Sequence, residues 1–146
     1  MVLIYFISAM PYEQQDLKPL LEEKIQIPPE DVPDIQLNYG DQQVSSTNLY
    51  AFLEFIVRKS GHIIGYFILT VLLFITMSYV TIQRGLKFLV VGLLSISYAA
   101  LDEWHQTFVP GRTGRLIDVY GVDLIGVLIG LIICFIVFRL RERRLF

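Results

Sequence analysis

Residues 101–119 read LDEWHQTFVPGRTGRLIDV, and apolar runs long enough for a bilayer flank them on both sides. Asp102, Glu103, His105, Gln106, Arg112, Arg115 and Asp118 fall within 17 residues of that stretch. Ionisable groups beside hydrocarbon are costly and persist where they pair or perform chemistry. Pro110-Gly111 is a turn signal. The stretch is therefore expected to be a hairpin between two membrane helices, with its polar groups turned towards one site.

The rest of the chain agrees with a membrane reading. Of its 146 residues, 54% are hydrophobic, and the mean hydropathy is +0.56. That excludes a disordered chain and an ordinary soluble domain. The expected fold class is an all-α, polytopic membrane helical bundle, forming a single domain over residues 1–146. A net charge of -2, with no basic stripe, speaks against nucleic-acid binding. The lone cysteine, Cys134, lies in an apolar run, so no disulfide or CxxC metal site is available and packing is its expected role.

Three full spans are expected, at residues 62–82, 88–103 and 118–138. Residues 49–80 read either as one long helix or as two joined near Gly61. Residues 1–10 are apolar too, but at ~1.5 Å per residue they cover about 15 Å, half of a ~30 Å hydrocarbon core. They lack the basic start of a signal peptide. Either they form a re-entrant stub or they end a first spanning helix that begins upstream; the second, a truncated N-terminal helix, is preferred. Residues 11–48 carry eight acidic and two basic residues with five prolines. They are expected to form an acidic, solvated loop, with residues 14–24 able to make a short helix.

Orientation follows from basic residues near the spans. Arg84, Lys87 and the tail hold six; the other side also holds six: Lys18, Lys24, Arg58, Lys59, Arg112 and Arg115. The tail arginines abut the last span with a single acid among them, whereas Lys18 and Lys24 lie in an acid-rich loop. Both termini are therefore expected in the cytoplasm, with hairpin 102–118 and loop 11–48 extracytoplasmic.

Depth then suggests a site. The third span has 14 residues before Asp102, a rise of ~21 Å, so Asp102 and Glu103 should lie roughly 8 Å below the outer edge. Asp123 and Tyr66 fall at a similar level. Lys59, His62 and Tyr66, spaced i, i+3, i+7, share a helix face. The candidate catalytic residues are His62, Glu103 and Asp102; the candidate ligand-binding residues are Lys59, Tyr66, Gln106, Arg112, Asp118 and Asp123. Structural roles compete with these: Arg112 or Lys59 could neutralise the acids and lock the bundle, Trp104 is expected at the interface, and Gly126 with Gly130 reads as a close helix contact. A metal held by His62, Glu103 and His105 is weakly signalled, because residues two apart diverge on a helix. No metal and no cofactor is assigned.

Several of these pieces coincide with one family. FISAMPYEQQD at 6–16, EFIVRKSGHIIGY at 54–66, DEWHQTFVPGR at 102–112, Asp118-Val119, and Gly126 with Gly130 resemble the VanZ-like membrane proteins. The most specific parts are Arg58-Lys59-x-x-His62-x-x-x-Tyr66 and Asp102-Glu103-x-x-Gln106-x-Phe108-x-Pro110-Gly111-Arg112. The sequence departs from the pattern at two points. The family's first helix is normally complete. An acid or amide is also expected about four residues after the Asp-Val pair, where Val122 stands; Asp123 comes one later, ~100° around a helix, outside the expected face. The resemblance implies a cell-envelope role in low-level resistance to glycopeptide antibiotics, teicoplanin above all. It implies no particular reaction.

Three classes of function remain open. A membrane-embedded enzyme would act on a membrane lipid or lipid-linked cell-wall precursor, with His62 or Glu103 as acid or base and with Arg112 and Lys59 holding a phosphate. Against it, no nucleophile is marked beyond Ser60. A binding or sensing module would use the same cluster without turnover, towards a lipid head group or the antibiotic itself. A small transporter would need homo-oligomerisation, since one chain has too few helices for an inverted repeat.

Overall fold

A computed structural model describes residues 2–28 and 32–143. Met1 of the first apolar stretch, Glu30 and Asp31 of the acidic segment and Arg144 of the basic tail lie outside the described residues. The elements run α1 (Val2–Ser8), a 3-10 turn (Tyr12–Gln15), α2 (Lys18–Lys24), β1 (Gln36–Tyr39), β2 (Gln42–Ser45), α3 (Leu49–Ser78), α4 (Arg84–Gln106), α5 (Leu116–Asp118), a π-helical turn (Val119–Asp123) and α6 (Leu124–Arg143).

Among the described residues, three helices are long and apolar enough to cross a membrane: Leu49–Ser78, Arg84–Gln106 and Leu116–Arg141, the last combining α5, the π-turn and most of α6. Their 30, 23 and 26 residues rise about 45, 35 and 39 Å, each more than the ~30 Å hydrocarbon core. Their outward faces carry exposed aliphatic side chains, such as Ile64, Ile68 and Leu72 on α3, Leu89 and Leu93 on α4, and Leu128 and Ile132 on α6. Apolar residues all round a helix mark burial in lipid rather than in water. This is a multi-pass membrane protein of helical-bundle architecture.

The expected span limits shift in two places. α3 is one continuous helix that passes through Gly61 without a break. It starts where the Asn48 side chain accepts a hydrogen bond from the Ala51 amide at 3.2 Å, which satisfies one of the unpaired N–H groups of its first turn. α4 runs on to Gln106, so Asp102, Glu103 and Gln106 stand on a helix, and the connecting hairpin is reduced to residues 107–115. That hairpin turns at Gly111, whose φ of 72° falls in the left-handed region that glycine enters without penalty.

α3 lies at the centre, packed against both α4 and α6. Its contact with α6 is made by two glycines: a Cβ on Gly126 would lie 2.3 Å from the Ile63 carbonyl oxygen, and one on Gly130 would lie 2.9 Å from Thr70 Cβ. Small residues let backbones approach where lipid supplies no hydrophobic drive between helices. Tyr66, Leu69, Ala99, Val119 and Val127 form the buried core between the three helices. The Thr70 hydroxyl lies 3.1 Å from that of Ser95, a polar tie between α3 and α4.

The acidic segment is more ordered than a solvated loop. Helix α2 falls inside the expected 14–24, but β1 and β2 form an antiparallel hairpin with Tyr39 opposite Gln42. Gly40, with φ 61°, opens its two-residue turn in the manner that favours Gly and Asp.

Candidate functional site

The polar residues of α3, α4 and the α5–α6 segment meet at one end of the bundle. On α3, three side chains one turn apart point into this region, and the first two reach the last span. Lys59 makes an ion pair with Asp118. His62 Nδ1 lies 3.0 Å from Asp123 Oδ1. Tyr66 is 1% exposed. On α4, Asp102 and Glu103 are both buried, and the Gln106 amide donates to Asp102 Oδ2 at 3.1 Å and to Glu103 Oε1 at 3.3 Å. An i, i+4 and i, i+3 spacing on a helix permits that bridge.

Asp123 reaches this cluster by a route that regular helix geometry does not provide. The α-helical register placed it ~100° off the face. Instead residues Val119–Asp123 form a π-helical turn, in which the Leu124 amide donates to the Val119 carbonyl five residues back. A π-turn accommodates one extra residue relative to an α-turn. Asp118 and Asp123 therefore both face α3, and Asp123 is fully buried. Deleting Tyr120, whose side chain is exposed, should convert the turn to α-helix and keep both contacts. Thermal unfolding in detergent should show an unchanged or higher midpoint. A marked fall would mean that the extra residue is not what sets the phase.

The hairpin closes over the cluster through Gly114. A Cβ there would stand 1.8 Å from the Glu103 carbonyl oxygen, so only glycine allows the chain to return this close. The approach lets the Arg115 amide donate to Glu103 Oε2 at 2.7 Å, while the Arg115 guanidinium pairs with Asp41 at 3.0 Å.

The N-terminal segments form a roof. Tyr12 donates its hydroxyl to Glu54 Oε2 at 3.0 Å; Arg58 donates to Glu54 Oε1 at 3.1 Å and to the Gln15 carbonyl at 3.1 Å. Arg112 donates to the Gln15 side-chain oxygen. Tyr39 donates to Asp118 Oδ1 at 2.6 Å, and its ring lies 4.8 Å from Lys59 Nζ. Burial, reinforced by that hydrogen bond, raises the Tyr39 phenol above its ordinary value, so it stays a donor. Burial lowers the Arg112 guanidinium from its ordinary value, and neighbouring Arg58 adds to the effect. Arginine remains charged even so, and the nearby Asp102 and Glu103 carboxylates favour that charge.

Between roof and helices lies a cavity of about 1000 Å³, lined among others by Arg58, Lys59, Arg112 and Arg115, together with His62 of α3 and Asp102 of α4. All nine residues singled out in the sequence lie in or beside this region. His105 does not join them; its ring packs on Tyr5 of α1, 4.9 Å between centroids. Sequence reasoning missed Tyr12, Gln15, Tyr39 and Glu54. Glu54 and Arg58 are spaced i, i+4, a legible ion-pair signal. Tyr12 and Gln15 fall within the segment 6–16 already quoted. Nothing local marks Tyr39, because its partner is 79 residues away.

No curated protein and no solved structure matches the chain. The family model VanZ/LLP1 matches residues 1–139, a range that includes the motifs on α3, α4 and the hairpin and every residue of the cluster. The protein is thus a member of the VanZ/LLP1 family.

Proposed function

We propose that the cavity binds an anionic membrane lipid or a lipid-linked cell-wall precursor at the outer leaflet, and that this is how the protein takes part in glycopeptide resistance of the teicoplanin type. The observation that carries this reading is the lining: four basic side chains, Arg58, Lys59, Arg112 and Arg115, against three acidic ones, Glu54, Asp102 and Asp118, around about 1000 Å³, at the end of an apolar helical bundle. That volume is in the range of small-molecule sites. Guanidinium groups suit the bidentate grip of a phosphate. The apolar helix faces below would accompany the acyl or polyprenyl part. In this reading hairpin 102–118 and loop 11–48 are extracytoplasmic, the C-terminus is cytoplasmic, and the whole chain acts as one domain.

A second reading, turnover of the bound lipid, is favoured by the contact of His62 with Asp123 beside the buried Glu103. An imidazole oriented by a carboxylate is a recurrent acid–base arrangement. Recognition of the antibiotic itself, without turnover, is the non-enzymatic counterpart.

Native mass spectrometry of the purified protein with its co-extracted lipids tests the proposal. A retained anionic lipid is expected, and a changed lipid mass after incubation would indicate turnover. Arg112→Lys keeps the charge but loses the forked donor, and should weaken retention roughly tenfold, about 1.4 kcal/mol. Unaltered retention in that variant would argue against anion binding.

A further inference from the structure

The deepest part of the cluster is unlike the basic rim. Asp102 and Glu103 are neighbours in sequence and are 6% and 2% exposed. Among the described residues the ion pairs of Arg58, Lys59 and Arg115 go to Glu54, Asp118 and Asp41 rather than to Asp102 or Glu103. A ring nitrogen of His62 and one carboxylate oxygen each from Asp102 and Glu103 lie within 4.8 Å of one another. Two further groups come up to the same spot unsatisfied. Asp123 is 0% exposed and Tyr66 1%, and among the described residues neither Asp123 Oδ2 nor the Tyr66 hydroxyl has a hydrogen-bond partner. The Tyr66 hydroxyl faces Asp102 without completing a bond to it. Arg112 and His62 set opposing charge against these carboxylates, but adjacent buried acids with a third, Asp123, close by are still expensive to hold ionised, and their grouping suits a further cation.

We propose that His62, Asp102 and Glu103 hold one divalent transition-metal ion. The geometry specifies how. His62 Nδ1 is engaged by Asp123 Oδ1 at 3.0 Å, so Nε2 is the nitrogen left to ligate. A ligating histidine commonly gives its other N–H to a carboxylate, which fixes its tautomer and ring orientation; Asp123 has that position. The Gln106 amide holds both carboxylates from behind. With metal–ligand distances of about 2.1 Å, donors on one ion are separated by roughly 3 to 4 Å, so the three need only a small inward movement. One imidazole and two carboxylates favour zinc, manganese or cobalt over calcium or magnesium, which prefer oxygen alone. Three protein ligands leave at least one position open, the arrangement of a catalytic rather than a structural metal, and the Tyr66 hydroxyl lies beside it. Asp102 takes the place in this set that the sequence offered to His105, because adjacent residues on α4 can converge on α3 where residues two apart cannot.

This inference goes beyond lipid binding and stands or falls apart from it, since its test contains no added lipid. The full chain, purified in detergent and stripped with chelator, is titrated with Co²⁺ and followed by its visible absorption, with elemental analysis for stoichiometry. One equivalent is expected, with a rise in thermal midpoint. Asp102→Asn and His62→Gln should each lower the affinity at least tenfold, and Asp34→Asn, in the loop, should leave it unchanged. Gel filtration confirms that each variant is folded. The wild-type titration is decisive by itself if a variant fails to fold: no absorption band and no thermal shift with Co²⁺ overturns the proposal. Equal uptake by wild type and folded Asp102→Asn/Glu103→Gln also overturns it.

Discussion

Gly126→Leu is expected to separate α6 from α3 and to cost about 3 kcal/mol or more, at the upper end of overpacking effects. Even the Cβ would stand 2.3 Å from the Ile63 carbonyl oxygen and 3.1 Å from the Phe67 amide nitrogen. These are backbone atoms of a helix and cannot move aside by changing rotamer. The only relief is to push the helices apart. In a bilayer that loss is not offset by a hydrophobic drive between the helices, because packing itself holds them together. Asp123 lies three residues before Gly126, so the same displacement would break its 3.0 Å contact with His62. Thermal unfolding in detergent should show a large fall in midpoint for Gly126→Leu and an intermediate one for Gly126→Ala. Gly85→Ala, where nothing lies within 4 Å of the added Cβ, should be neutral. An unchanged midpoint for Gly126→Leu would mean that α3 and α6 do not meet at this glycine.

The second large effect concerns function. On the proposed function, Glu103→Gln and His62→Ala should each abolish whatever teicoplanin protection the wild-type protein gives, while the protein still reaches the membrane. Glu103→Gln is close to isosteric, and its side-chain oxygen can still accept the Arg115 amide, so the hairpin should stay closed. What it loses is the negative charge. If Glu103 or His62 acts in turnover, by moving a proton or by holding the proposed metal, a rate loss of about 10²–10⁴ is expected, enough to return the inhibitory concentration of teicoplanin to that of cells without the protein. Lipid retention measured on the same variants separates the two readings. Loss of protection with retained lipid supports chemistry on a bound molecule; loss of both supports binding alone. Normal protection in both variants, at wild-type abundance, would count against an enzyme.

The order of expense in this molecule explains why so much was legible early. A run of twenty apolar residues has one economical environment, and charged residues beside it have few, so the spans and the polar hairpin could be read from residues 101–119 outward. The i, i+3, i+7 spacing of Lys59, His62 and Tyr66 is likewise a local property of one helix; the i, i+4 pair of Glu54 and Arg58 is local too, although the sequence reading passed over it. The Gly126 and Gly130 pair announced a close contact, because glycine is retained in an apolar helix where another backbone needs the space.

The chain alone therefore determined an all-α membrane bundle and which residues had reason to avoid lipid, because both follow from the transfer of side chains and backbone between water and hydrocarbon. Partnership was decided only by the tertiary structure. Tyr39 meets Asp118 across 79 residues, and Arg112 meets Gln15 across 97; no local rule links such positions. Asp123 illustrates the point most sharply. Its distance from the Asp-Val pair is a matter of counting, but its direction depends on whether the backbone winds as α or π, and that choice is made by the packing that buries Asp123 against His62 of α3.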